Sequence, residues 1–133
     1  MVKVKTFRGK SEEDLRKITL DELLPLLNSR DRRAVKRAAT KNVNMKDLMK
    51  KVARIKGKSP SKMIKTHCRS AVILPDWIGL TFGVHAGKGF KEVMITIDKV
   101  GMRLGDFAHT TGKVVHSGPG VGATRGSKFI PLK

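Results

Sequence analysis

MIKTHCRSAVILPDWIGLTFGVHAGKGFKEVMITIDKVGMRLGDF, residues 63–107, holds most of the β-branched and aromatic side chains able to build a sheet. An extended chain over residues 64–74 puts Ile64, Thr66, Cys68, Ser70, Val72 and Leu74 on one side. Lys65, His67 and Arg69 fall on the other side, before Ala71 and Ile73 turn it apolar, because successive strand side chains point to opposite faces. The spacing predicts a strand with one face for a core and one end for an anion. Pro75-Asp76 breaks it from the next strand. There Leu80, Phe82 and Val84 alternate with Thr81, Gly83 and His85. Ala86-Gly87-Lys88-Gly89-Phe90 reads as a hairpin connection with Lys88 near its tip. A third strand places Val93, Ile95 and Ile97 opposite Glu92, Met94 and Thr96. Asp98 then caps a turn, and residues 102–107 read as one or two helical turns interrupted by glycine.

Upstream, the signals are helical. Ser11-Glu12-Glu13-Asp14 starts a helix with acids in its first turn, where the macrodipole favours them. Thr19-Leu20-Asp21-Glu22 is a second capping box. Leu20, Leu23, Leu24 and Leu27 give its apolar stripe, and Pro25 is expected to kink or end that helix. Residues 30–41 form a basic helix. Another begins near Asn44, with Met45, Leu48, Met49, Val52 and Ile55 on one face and Gly57 as its stop. Residues 1–10 read as a basic arm that is loose or orders on binding.

These readings divide the 133 residues into a basic helical extension over 1–58, an α+β core over 59–108 and a Gly-rich basic tail over 109–133. The fold class is α+β: a small three-stranded mixed or antiparallel sheet with short helices, a helical N-terminal extension and an extended basic C-terminal tail. The tail has five Gly, four Lys or Arg and no acid, so it buries too little apolar surface to fold alone.

Charge narrows the function. The net charge is +18, which calls for a polyanionic partner. Residues 30–69 hold fifteen Lys and Arg against two acids, a local excess of thirteen, so the charge is concentrated rather than spread for solubility. With few acids to form i,i+4 pairs, contact with RNA phosphates is the expected use. Arg32, Arg33, Lys36 and Arg37 are the candidates from charge density, and Lys113, Arg125 and Lys128 are those of the tail. No apolar run of about 18 residues exists to span a bilayer, and no apolar segment follows the basic N-terminus to make a secretory signal. The single Cys68 suits a reducing, cytoplasmic location and excludes an internal disulfide.

Other chemistries find little support. Gly118-Pro119-Gly120-Val121-Gly122-Ala123 mimics a dinucleotide fingerprint but leaves no room for a βαβ unit. Gly83-Val84-His85-Ala86-Gly87-Lys88 is short of a phosphate-binding loop and ends in Gly89 instead of Ser or Thr. The four histidines lack metal-ligand spacing and read as satisfied or RNA-stacking groups. No carboxylate pair suits acid–base catalysis, so no enzyme, cofactor, metal or small-molecule substrate is expected. Five Phe, one Trp and no Tyr argue for recognition of folded RNA by shape and backbone over a base-stacking sheet, and Trp77 is expected in the core.

Several ordered motifs together resemble the universal small-subunit ribosomal protein nineteen family. They are Lys65-Thr66-His67-Cys68-Arg69, Ile73-Leu74-Pro75-Asp76-Trp77-Ile78-Gly79-Leu80-Thr81, Val84-His85-Ala86-Gly87-Lys88 and Gly101-Met102-Arg103-Leu104-Gly105-Asp106-Phe107-Ala108. Asp76 and Asp106 stand where Glu is familiar, and Trp77 where Met is common. Arg32-Arg33 and the run from His116 to Arg125 resemble the archaeal and eukaryotic branch, the archaeal type above all. The resemblance implies a structural constituent of the small subunit that binds the 3′ (head) domain of its rRNA. It also implies that the chain pairs with head protein thirteen and that its tail approaches the A-site tRNA. It marks Lys65, His67, Arg69, Lys88 and Arg103 as rRNA ligands beside the helix arginines. The alternative of another class is a free RNA chaperone or nucleoid-type protein, although no helix suited to reading a DNA major groove is evident.

Overall fold

A computed structural model describes residues 5–59 and 61–112. Four helices come first: α1 (Glu12–Lys17), α2 (Leu20–Leu23), α3 (Ser29–Thr40) and α4 (Val43–Lys58). Three strands follow: β1 (Ile64–Thr66), β2 (Thr81–His85) and β3 (Phe90–Met94). The sheet has the order β1-β2-β3, with β1 parallel to β2 and β2 antiparallel to β3, so the expected α+β class with a mixed sheet is what the chain adopts.

Local chemistry sets the helix ends. Ser11 Oγ accepts from Asp14 N–H at 3.3 Å, and the Asp14 carboxylate accepts from Ser11 N–H at 3.3 Å. Glu22 likewise accepts from Thr19 N–H. Pro25 converts the end of α2 into a 3₁₀ turn, Leu24–Leu26. Asn42 caps α4 by accepting from Met45 N–H at 3.2 Å, so the helix starts at Val43, one residue earlier than the Asn44 start read from sequence. At its other end α4 runs one residue past Gly57.

Met45, Leu48 and Val52 on α4 are buried against Ile64, Phe82, Val84 and Val93 of the sheet. Leu23, Leu27, Val35 and Ala38 join the same cluster, so the helices cover one face of the sheet with a shared core. Leu20 is 47% exposed and leaves the stripe expected of it.

Two expectations change. Residues 64–74 do not form one strand. β1 ends at Thr66, whose Oγ1 accepts from Cys68 N–H at 3.0 Å and starts a turn. Residues 71–74 re-emerge buried on both sides and pair instead with residues 101–104: Ile73 N–H donates to Met102 O and Leu104 N–H to Ala71 O. A segment buried on both faces has no polar side to alternate with, which is why its pattern turns wholly apolar. Residues 5–10 are not a loose arm. Phe7 and Lys10 exchange both backbone hydrogen bonds around Arg8 and Gly9, which both have positive φ, as a two-residue hairpin turn requires. Phe7 packs on the core beside Gly101, where φ is +79° and an added Cβ would meet Leu27 at 3.1 Å and Phe7 at 3.3 Å. Trp77 is buried, as expected.

The first cap gives a pH prediction. The Ser11 hydroxyl, then the Ser11 backbone N–H, hold the Asp14 carboxyl below its ordinary 3.8. Folding therefore favours the ionised form. Its stabilisation is fully present above that ordinary value and is lost as pH falls through the lowered one. Ser11→Ala should move the Asp14 midpoint upward towards 3.8 in a carboxyl NMR titration. An unmoved midpoint would rule the hydroxyl out as the cause.

Candidate nucleic-acid interface

The arginines of α3 divide by face. Arg30, Arg33 and Arg37 lie at i, i+3 and i+7, on one side of the helix. Arg32 turns the other way. Its Nε donates to Leu24 O at 2.8 Å and its Nη2 to Leu27 O at 3.1 Å and Pro25 O at 3.3 Å. It thus gathers three carbonyls around the end of the preceding 3₁₀ turn, of which Leu24 O also accepts from Leu27 N–H at 3.3 Å. Lys36 is exposed on α3.

Arg30, Arg33 and Arg37 line a cleft of about 460 Å³ that also takes in Asn42, Ser70 and Arg103. Arg103 donates through Nε to Asp31 at 2.9 Å, with both side chains largely buried, and this pair ties α3 to the loop before the last 3₁₀ turn. Among the described residues, Arg30 and Arg37 have no acidic partner, and Arg33 reaches only Ser29 O within its own helix. Four guanidiniums with one carboxylate between them favour a phosphate over any neutral ligand.

Sequence places Lys65, His67 and Arg69 together on a strand face, and the structure separates them. Lys65 and His67 are exposed, but the turn after Thr66 carries Arg69 inward. Its guanidinium donates to His85 O, to Gly105 O at 3.1 Å and to Ala108 O. It clamps the end of β2 to the last 3₁₀ turn, Leu104–Phe107. The close fit shows at Gly105, where an added Cβ would sit 3.0 Å from Arg69 O. Lys88 is exposed in the hairpin between β2 and β3. Lys113, Arg125 and Lys128 lie outside the described residues.

Sequence reasoning did not single out Arg30, Asn42 or Ser70. The i, i+3, i+7 spacing is the signal that finds Arg30. Asn42 and Ser70 come from elements distant in sequence and leave no such mark. Two more cations are tied to backbone carbonyls at the surface: Lys51 Nζ donates to Lys65 O at 2.7 Å and Lys56 Nζ to Asp76 O at 3.2 Å. Lys46, Lys50 and Arg54 are exposed on α4 and extend the basic surface. No described helix is long and apolar enough to cross a membrane. Among the described residues no group of three His, Cys, Asp or Glu is placed to hold a metal ion.

Comparison with known proteins gives a consistent match. A family model described as ribosomal protein S19 matches residues 33–116. The chain is 42% identical over 130 residues to the small ribosomal subunit protein uS19 of Methanococcus maripaludis strain S2, covering 96% of this chain and 80% of that relative. The uS19 protein of strain C7 of the same organism matches with the same identity and coverage.

Proposed function

The chain belongs to the ribosomal protein S19 family, of archaeal type, whose members are small-subunit proteins with a structural role in translation, and we propose that it binds the 3′ (head) domain of small-subunit rRNA in the cytoplasmic ribosome. The observation that carries the rRNA reading is the arginine cleft of α3: Arg30, Arg33 and Arg37 face outward with no carboxylate among the described residues except Asp31, which is held by Arg103. Lys36, Lys65, His67 and Lys88 are exposed and extend the same contact. Arg32, Arg69 and Arg103 stand beside it with their guanidiniums on protein acceptors, and they orient the surface that meets RNA. The tail, through Lys113, Arg125 and Lys128, reaches towards the A-site tRNA, and a neighbouring face meets head protein thirteen. Both of these placements rest on the family resemblance.

The test is sedimentation of the tagged chain from a lysate of its own cells. Recovery with small subunits, and a preference for a head-domain rRNA fragment over duplex DNA at matched salt, is the expected result. Equal affinity for the two nucleic acids would favour a free RNA chaperone or nucleoid-type protein instead.

A further inference from the structure

The helices cover one face of the sheet, and the register fixes what the other face carries. β1 runs parallel to β2 with Lys65 beside Gly83 and Thr66 beside Val84. One step further, His67 falls beside His85, and His85 pairs with Phe90 on β3. The three rings thus form a compact triangle at one end of the sheet, with His67 just past β1 and Phe90 edge-on to both histidines. The centroids of His67 and His85 are 4.5 Å apart, those of His67 and Phe90 5.2 Å, and those of His85 and Phe90 5.4 Å. The cluster is open: His67 is exposed, His85 half-buried and Phe90 38% exposed. Lys65 Nζ sits 5.5 Å from the Phe90 centroid. Lys88 is exposed in the adjoining hairpin, whereas Lys91, the next residue along β3, points to the opposite face beside Val84. The neighbouring row carries Lys65, Gly83 and Glu92, so the acid lies one step away from the rings, on the side opposite the hairpin.

We propose that the exposed side of the His67–His85–Phe90 cluster is a stacking platform for an unpaired nucleobase of RNA, with Lys65 and Lys88 taking the flanking phosphates. The inference deepens the rRNA reading and rests on it. A nucleobase offers a flat π-face of about the same size as these rings, and stacking on exposed aromatics is tolerant of sequence. Cations beside the cluster supply the backbone contact that a platform alone lacks. Glu92 repels phosphate from the middle of the sheet and steers the strand towards the hairpin end. The scarcity of aromatics in the composition argues against a stacking sheet, but the register gathers three of the rings the chain has on a single edge.

The test uses the full chain and a single-stranded oligoadenylate RNA of about 12 nucleotides carrying a central 2-aminopurine. Binding should change the 2-aminopurine emission. Phe90→Ala should weaken binding about tenfold, as loss of one stacked base does, while leaving the slope against salt unchanged. Lys65→Ala should instead lower that slope by about 0.7. Phe90→Leu keeps apolar area at a partly exposed site and should fold; it too should lose the emission change, and Phe90→Trp should keep it. Wild-type affinity in Phe90→Ala and Phe90→Leu would overturn the platform. So would an equal loss for a duplex RNA of the same length. Either result would leave intact the sedimentation with small subunits, which tests the ribosomal reading separately.

Discussion

Replacing Arg69 by methionine lowers the unfolding free energy by about 3 kcal/mol, the scale set by several charged hydrogen bonds whose acceptors are left inside the fold. The side chain joins three carbonyls from two segments: His85 O at the end of β2, and Gly105 O and Ala108 O around the last 3₁₀ turn. Methionine keeps the apolar stem and removes every donor. The carbonyls then stay partly buried, without the fork that held them. Lysine at the same position recovers little, because one ammonium cannot span three acceptors arranged for a planar group. Lys65→Ala, at an exposed position on the neighbouring strand, should shift stability by less than about 0.5 kcal/mol. Urea unfolding of the full chain in sulfate buffer, followed by circular dichroism, measures all of these. A wild-type midpoint for Arg69→Met, combined with weakened RNA binding, would return Arg69 to the RNA surface.

The second large effect is on affinity. Changing Arg30, Arg33 and Arg37 together to glutamine should lower the slope of log affinity against log salt by about 2 to 3, at roughly 0.7–0.9 for each lost phosphate contact. At physiological ionic strength that amounts to a loss of about 100-fold for a head-domain rRNA fragment. Stability should hold or rise slightly, since none of the three has an acidic partner among the described residues and like charges on one helix face repel. Filter binding across a salt series gives the slope directly. An unchanged slope would mean that the cleft faces something other than phosphate. Arg32→Gln makes the contrast, because its guanidinium lies on Leu24, Pro25 and Leu27 carbonyls: it should cost stability and leave the slope nearly alone.

That contrast shows what is legible in a chain of this kind. Capping boxes at Ser11 and Thr19, the stop at Pro25 and the stripe of α4 depend on neighbours a few residues away, and each appears in the fold at or within a residue or two of its expected place. Whether an arginine points inward or outward is a different question. Arg32 and Arg33 are adjacent and chemically identical, but one meets the carbonyls of a turn and the other meets solvent. Arg69 looks like a strand residue until a Thr66 side chain bends the backbone before it. The ring cluster depends on bringing His67 against His85, which are separated by a crossover, so no local pattern contains it. Charge density points to a region and leaves the orientation of each cation to tertiary geometry.

Trp77 has a practical consequence. It is the chain's single tryptophan, there is no tyrosine, and its indole is buried against Phe82 with ring centroids 5.2 Å apart. Ultraviolet excitation near the red edge of indole absorption therefore reads one dry site in the whole molecule. Exposure of that site to water shifts its emission to longer wavelength, so the molecule carries an internal gauge of its own integrity. Trp77 belongs to neither the arginine cleft nor the ring cluster, so the gauge lets collapse of the scaffold be told apart from loss of grip on a ligand in a single cuvette.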